Sequence, residues 1–166
     1  MNAELLYEKL LDALQKRMQE GSFELVGLAM GGAWIAERLA KDLGLSHYGV
    51  INVAFHRDDY AEKGITALRT ASTMTTNLPF DVNGANVVLI DDVLFTGRTV
   101  RAALNELFDF GRPAQVELMV LADRGNREIP VRANFAGEQV QVSDKQILVL
   151  EKDSVGKFSF QLEERE

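Results

Sequence analysis

The chain has 166 residues, of which 46% are hydrophobic and 26% are charged, and its formal net charge is −7. This composition is typical of a globular protein, and we expect a single domain over residues 1–166. An acidic chain is a poor general binder of nucleic acid, because affinity for phosphate backbones comes mainly from lysine and arginine. The sequence contains no cysteine, which excludes disulfides and cysteine-based metal or nucleophile chemistry.

Nothing in the sequence predicts a membrane-bound or secreted protein. No apolar run approaches the roughly 20 residues that cross a bilayer. The first ten residues, MNAELLYEKL, contain acidic side chains where a secretory signal has basic ones. We therefore expect a cytoplasmic protein.

The first half of the chain predicts helices that alternate with strands. Leu6, Leu10 and Leu14 recur every four residues, followed by Met18, which is typical of an amphipathic helix over residues 2–20. The next predicted elements are, in chain order, a strand at 23–28, a turn, a helix over 33–43 and a strand at 48–55. The turn contains Met30, Gly31 and Gly32.

Residues 60–86 differ from the rest of the sequence. They are polar and rich in threonine, show no period of 2 or 3.6, and have Pro79 and Gly84 near their end. A long segment of this kind inside a domain is often an active-site lid. We expect a flexible loop, although a β-ribbon is equally compatible with the sequence.

The second half of the chain predicts further strands. In order, the elements are a strand at 87–90, a helix ending near 110, a strand at 116–122, and shorter strands at 135–140, 147–150 and 158–162. Alternating strands and helices predict an α/β fold, with a central, mostly parallel twisted sheet flanked by helices and a small β hood or tail.

The segment VVLIDDVLFTGRT carries the clearest chemical signal. Asp91 and Asp92 follow an apolar strand, and ligands of open α/β sheets bind beyond the carboxyl ends of strands. The loop after them enters a helix, whose free N–H groups favour phosphate. Gly97 permits close backbone approach, and the hydroxyls of Thr96 and Thr99 can donate to phosphate oxygens. Two carboxylates at such a site are explained if they accept from sugar hydroxyls or hold Mg²⁺ through water. Alternatively, the acids only end a strand and the loop only caps a helix.

This segment resembles the phosphoribosyl pyrophosphate (PRPP) signature of type I phosphoribosyltransferases. The resemblance implies that Asp91 and Asp92 bind the ribose hydroxyls and are essential for catalysis, with Mg²⁺ arriving with PRPP rather than on a direct protein site. It implies a nucleotide-binding set of Val93, Leu94, Phe95, Thr96, Gly97, Arg98 and Thr99. It also places the pyrophosphate at Gly31 and Gly32, where Ala29 and Met30 offer no side-chain donors and backbone N–H groups would have to bind it. Arg57 either contacts the pyrophosphate or pairs with a neighbouring acid.

Three longer segments extend the resemblance to the PyrR family. They read FHRDD, DDVLFTGRTVRAALNELFDFGRP and LADRGNREIPVRANFAGEQV. The resemblance implies a regulator of the pyrimidine operon that also converts uracil and PRPP to UMP and diphosphate. Phe95 supports a pyrimidine substrate, because purine salvage enzymes place an aspartate there. Asp123 and Arg124 are expected in the base pocket, or they form an ion pair that shapes the loop.

Two alternatives to an efficient uracil enzyme remain open. One is a sensor of UMP or PRPP that binds pyr-operon mRNA and has little or no enzyme activity, and the other is an orotate or purine transferase. The implied RNA contacts are basic residues that would have to share one face of a homodimer or larger oligomer: Lys16, Arg17, Arg132, Lys145 and Lys152.

Overall fold

The structure, a computed structural model, describes residues 1–53 and 75–165. The helices in these ranges are α1 (Ala3–Met18), α2 (Gly31–Leu43) and α3 (Arg98–Asp109). The strands are β1 (Glu24–Leu28), β2 (Gly49–Ile51), β3 (Asn86–Leu94), β4 (Gln115–Asp123), β5 (Phe135–Gln139), β6 (Gln146–Lys152) and β7 (Phe158–Glu164). Among the described helices, none is both long enough and apolar enough to cross a membrane.

Five of these strands form one parallel sheet in the order β2-β1-β3-β4-β5. The remaining pair, β6 and β7, forms a separate antiparallel hairpin. The predicted α/β fold with a small β appendage is therefore confirmed. One detail differs, because β5 belongs to the main sheet and not to the appendage.

The central strand β3 is buried on both faces, as its unbroken apolar run predicts. Val88 and Ile90 face a core that also contains α1 and α2, whereas Val87 and Leu89 face a second core that includes α3. This two-sided packing fixes the position of the sheet relative to all three helices. It also places the carboxyl end of β3 between the N-termini of α2 and α3.

Helix α1 packs as its leucine spacing predicts. Leu6, Leu10 and Leu14 are buried, whereas Met18 at the helix end is 40% exposed. The side chain of Asn2 caps the first turn by accepting a hydrogen bond from the N–H of Leu5 at 3.1 Å.

The predicted end of β3 at Ile90 is wrong by four residues. Pairing with β1 does stop at Ile90, but the backbone beyond it continues to pair with β4 as far as Leu94. Apolar periodicity could not detect this continuation, because the added residues begin with two aspartates. Asp91 and Asp92 consequently lie inside β3, just beyond the last residue that pairs with β1.

Part of the predicted 60–86 loop lies outside the described residues, which resume at Thr75. There, Asn77 forms an isolated antiparallel bridge with Val50, and the hydroxyl of Thr76 accepts a hydrogen bond from the N–H of Asn52 at 3.1 Å. The segment that leads into β3 is thus attached to the end of β2. Arg57 also lies outside the described ranges.

Candidate active site

The paired carboxylates lie at the carboxyl edge of the sheet and are almost buried. Asp91 is 6% exposed and Asp92 is 8% exposed. One oxygen of each carboxylate accepts the next backbone N–H at 2.8 Å, from Asp92 and from Val93 respectively. These local bonds orient the side chains. The two carboxylates at the rim of the parallel sheet form an acidic pair, which concentrates negative charge beside two helix N-termini.

The first glycine turn (residues 29–32) lies directly against this acidic pair. It contains a cis peptide between Ala29 and Met30, and α2 begins immediately after it at Gly31. A Cβ atom on Gly31 would lie 2.4 Å from Oδ2 of Asp92, and one on Gly32 would lie 2.3 Å from the carbonyl oxygen of Ile90. The absence of both side chains is therefore what allows the N-terminus of α2 to approach β3.

The predicted phosphate loop (residues 95–99) contains the connection from β3 to α3 and the first two residues of that helix. Thr96 is 5% exposed, and its hydroxyl accepts a hydrogen bond from the N–H of Arg98 at 3.2 Å. Gly97 has φ of +95°, a left-handed conformation that favours glycine, and it immediately precedes the helix. Val93 and Leu94 of the predicted nucleotide-binding set lie in β3, and Leu94 is buried in the apolar core.

The loop after β4 holds the phosphate loop in place. The carbonyl oxygen of Thr96 accepts hydrogen bonds from the N–H groups of Glu128 and Ile129, at 2.9 and 3.1 Å. The guanidinium of exposed Arg98 pairs with Glu128 at 3.1 Å. Residues far apart in sequence therefore fix the backbone conformation of this loop.

Arg127 is the main link between the two loops, and the sequence analysis did not single it out. Its guanidinium donates to both carboxylate oxygens of Asp123, at 2.8 and 2.7 Å, and to the carbonyl oxygen of Phe95 at 2.9 Å. Its Nε donates to the carbonyl oxygen of Val131 at 2.8 Å. The available signal was its position in the ADRGNRE block, four residues after Asp123.

Asp123 and Arg124 are both buried, at 7% and 5% exposure. Asp123 pairs with Arg127, as described above. The guanidinium of Arg124 donates to the carbonyl oxygens of Gln146 and Ser143, at 3.2 and 3.3 Å, and lies 3.9 Å from the ring centroid of Phe95. Arg124 also borders a cavity of about 620 Å³ whose other lining residues are Gly125, Asn126 and 139–144.

The pKa of Asp123 lies below its ordinary value, mainly because Arg127 donates hydrogen bonds to the carboxylate, while burial opposes this effect. A lowered folded-state pKa adds stability above the unfolded value of about 3.9, and that stability is lost as pH falls through the folded pKa.

We expect the stability advantage of the wild type over Asp123→Asn to be constant above about pH 5 and to shrink below about pH 4. Urea unfolding at pH 7, 5 and 3.5 checks this, with exposed Asp109→Asn as the control. An advantage that grows on acidification would contradict the assignment.

One of the implied RNA contacts is not at the surface. Arg17 is 8% exposed, and its guanidinium donates to Glu117 at 2.8 Å and to the carbonyl oxygen of Gly21 at 3.1 Å. The prediction that Arg17 contacts RNA is therefore wrong for the folded chain. The other four basic residues of that set are exposed.

The chain is similar to known proteins over most of its length. Residues 2–149 match the model of the phosphoribosyl transferase domain family. The chain is 50% identical over 159 residues to the bifunctional protein PyrR of Ralstonia nicotianae, covering 94% of this chain and 89% of that protein. The PyrR of Nitrosococcus oceani is 38% identical over 167 residues, covering 97% and 92%.

The chain belongs to the PyrR family. The predicted resemblance is thereby confirmed, and with it a phosphoribosyl transferase domain. These two PyrR relatives are matched over 89% and 92% of their own length.

Solved structures with the same fold include purine enzymes. A purine phosphoribosyltransferase from Pyrococcus horikoshii superposes with a TM-score of 0.60 at 23% identity, over 82% of this chain and 83% of that one. A hypoxanthine-guanine phosphoribosyltransferase from Bacillus anthracis gives 0.62 at 19% identity, over 90% and 85%. At this identity the likeness supports the fold of this PyrR protein and not its choice of base.

Proposed function

We propose that this PyrR protein catalyses the reaction of uracil with PRPP at the carboxyl edge of its sheet, giving UMP and diphosphate. The observation that carries the proposal is the position of two buried carboxylates between the N-termini of α2 and α3. The two helix ends favour the two anionic groups of PRPP, and the acids between them match the sugar that joins those groups. This arrangement accounts for a phosphoribosyl ligand better than for a nucleoside triphosphate.

In this proposal each part of the ligand has its own contacts. The 5′-phosphate accepts from the N–H groups and hydroxyls of the phosphate loop, the ribose hydroxyls donate to Asp91 and Asp92, and the diphosphate lies at the first glycine turn. Since that turn offers only backbone donors, diphosphate binding is expected to be weaker than with a basic side chain there. This supports a modest rate of uracil transfer.

The chemistry requires the C1′–O bond to the diphosphate to break while N1 of uracil bonds to C1′ and loses its proton. Positive charge develops on the ribose ring during this exchange. The negative charges of Asp91 and Asp92 beside the ring stabilise that cation more than they stabilise the ground state, which lowers the barrier. The helix N-termini hold the anionic ends in line.

The donor set also fits Mg²⁺. No cluster of three or more His, Cys, Asp or Glu side chains that could hold a metal occurs within residues 1–53 and 75–165. Two adjacent buried carboxylates instead fit an ion that binds mainly phosphate and water oxygens. When bound, Mg²⁺ neutralises charge on the departing diphosphate. Asp91 and Asp92 would orient its water ligands.

The uracil ring is proposed to lie on the side of Phe95 and Arg124. Phe95 has no hydrogen-bonding side-chain group for a purine N7, and Arg124 presents a buried cation beside the adjacent cavity. A volume of about 620 Å³ falls in the usual range of small-molecule sites. Asp123 shapes this region through Arg127 and Phe95, which makes it a positioning residue in the proposal.

The two glycines of the first turn give a paired prediction. Gly32→Ala should lower the free energy of unfolding by about 2–3 kcal/mol, at the upper end for overpacking, because its Cβ would meet backbone atoms of β3. Gly31→Ala should instead displace the Asp92 carboxylate, leaving stability closer to wild type but weakening UMP binding. Urea unfolding and calorimetric UMP titration of both variants distinguish the two effects. Equal stability losses would contradict the contacts described.

The proposed activity is tested by a panel of bases. Purified protein with PRPP and Mg²⁺ is incubated with uracil, orotate, hypoxanthine and guanine, and the nucleotide product of each is measured. The proposal predicts UMP as the main product. Formation of a purine nucleotide or orotidylate instead would overturn it.

Regulation through pyr-operon mRNA is proposed as the second function, because the PyrR relatives are named as bifunctional. Exposed Lys16, Arg132, Lys145 and Lys152 are the remaining basic candidates, and an oligomer that brings them together stays a prediction. A UMP-dependent gel shift across several salt concentrations tests the idea. Absence of any gel shift at low salt would contradict RNA binding.

The closing of residues 60–86 over the site also stays a prediction.

A further inference from the structure

The ring of Phe95 lies near two arginine side chains. The guanidinium carbon of Arg124 is 3.9 Å from the ring centroid, and that of Arg165 is 5.4 Å away. Both distances are within the range of cation–π attraction. Phe95 is the first residue of the phosphate loop, so any group that fixes its ring also acts on the backbone that follows it.

Arg124 directly follows β4, beside the end of β3, whereas Arg165 reaches the ring from a distant part of the chain. Arg124 is anchored by its hydrogen bonds to Gln146 and Ser143, at the start of the β6–β7 hairpin. Arg165 follows β7, and its backbone N–H donates to the carbonyl oxygen of Lys145 at 2.8 Å. This bond extends the hairpin ladder beyond the pairing of Gln146 with Glu164. The end of the hairpin is thereby held next to the phosphate loop.

The other contacts of Phe95 show why its ring matters. Arg127 fixes the carbonyl oxygen of Phe95, and Thr96 is fixed through its own carbonyl oxygen. The β4–β5 loop therefore holds the backbone, whereas the ring lies against Arg124, whose guanidinium bonds to the hairpin, and against Arg165 after β7. The half-buried ring of Phe95 therefore connects Arg165, the residue after β7, to the proposed nucleotide site.

We infer that Arg165 is a positioning residue of the phosphoribosyl site: by lying against the ring of Phe95, it helps to set the conformation of the phosphate loop. This inference rests on the proposed function and adds a role for the C-terminal hairpin. Arg165 does not need to contact the nucleotide, because its effect passes through the aromatic ring. It follows that the effect of Arg165 should depend on the identity of residue 95.

The test is a double-mutant cycle with UMP as the titrated ligand. Arg165→Ala should weaken UMP binding about three- to tenfold, the range of a partly desolvated cation–π contact. Arg165→Ala should have no further effect in a Phe95→Leu protein, and Arg165→Lys should keep part of the affinity. The control Arg112→Ala removes an exposed arginine at the opposite end of β4 and should bind UMP as the wild type does.

The outcomes separate this inference from the proposed function. If the wild type binds neither UMP nor PRPP, the proposed function fails before any variant is compared, and the inference falls with it. If the wild type binds UMP but Arg165→Ala loses the same affinity with either residue at position 95, Arg165 acts by charge or by folding and the inference alone is overturned. An Arg165→Ala protein with wild-type affinity also overturns it. Thermal unfolding of each variant identifies any that fail to fold.

Discussion

Replacing both acids, Asp91→Asn with Asp92→Asn, is expected to reduce kcat/KM for uracil transfer by a factor of about 10² to 10⁴. Each carboxylate is proposed to bind a ribose hydroxyl, and a hydrogen bond to a charged group contributes about 1.5–3 kcal/mol. Two such losses act on a transition state in which every 1.36 kcal/mol is roughly a tenfold change in rate. Steady-state kinetics with varied PRPP and saturating uracil measure the change.

The variant should fold normally, which makes the result interpretable. One oxygen of each carboxylate accepts a backbone N–H, and the side-chain oxygen of asparagine can accept the same bond. A matched control, Asp109→Asn with Glu163→Gln, removes the same charge from two exposed positions and should keep its activity. Turnover of the Asp91, Asp92 variant within threefold of the wild type would show that these acids do not act on the sugar.

Arg127→Ala is expected to lower the free energy of unfolding by about 3 kcal/mol, because it leaves the buried Asp123 carboxylate without its cation and breaking a buried pair costs about 3–5 kcal/mol. The Arg127 side chain is 22% exposed, which favours the lower end of that range. The variant also loses the bond to the Phe95 carbonyl oxygen, so nucleotide binding should weaken together with stability. Urea unfolding and UMP titration measure the two effects.

Two comparisons sharpen this prediction. Arg98→Ala removes an exposed pair, with side chains 55% and 53% exposed, and should change the free energy of unfolding by less than about 1 kcal/mol. Arg127→Met combined with Asp123→Leu removes both charges and should be more stable than Arg127→Ala, because no carboxylate stays buried alone. If Arg127→Ala were no less stable than Arg98→Ala, the link between the two loops would have little energetic importance.

The positions that the sequence predicted well are those where local pattern and chemistry agree. The leucine spacing of α1 and the apolar run of β3 identify buried surfaces, because a regular pattern of apolar side chains indicates which face of an element is buried. The acids at the end of β3 and the glycine of the loop after it predict a phosphoribosyl site, since these parts are adjacent in the chain, and that site stays a prediction. The PyrR resemblance added the base and the second function.

Contacts between distant segments could not be predicted in the same way. The hydrogen bond from Arg127 to the carbonyl oxygen of Phe95 joins two loops that only the folded sheet brings together. The continuation of β3 past Ile90 depends on its neighbour β4, and Arg17 is buried because the end of α1 meets Glu117. Sequence identified the residue types in each case, whereas tertiary packing determined their partners.

The most direct test of the account is a crystal structure of the protein with UMP bound. We expect the ribose hydroxyls within hydrogen-bonding distance of Asp91 and Asp92, and the 5′-phosphate on the backbone N–H groups of residues 96–99. A nucleotide bound away from the carboxyl end of β3, with these acids contacting no sugar, would contradict the account.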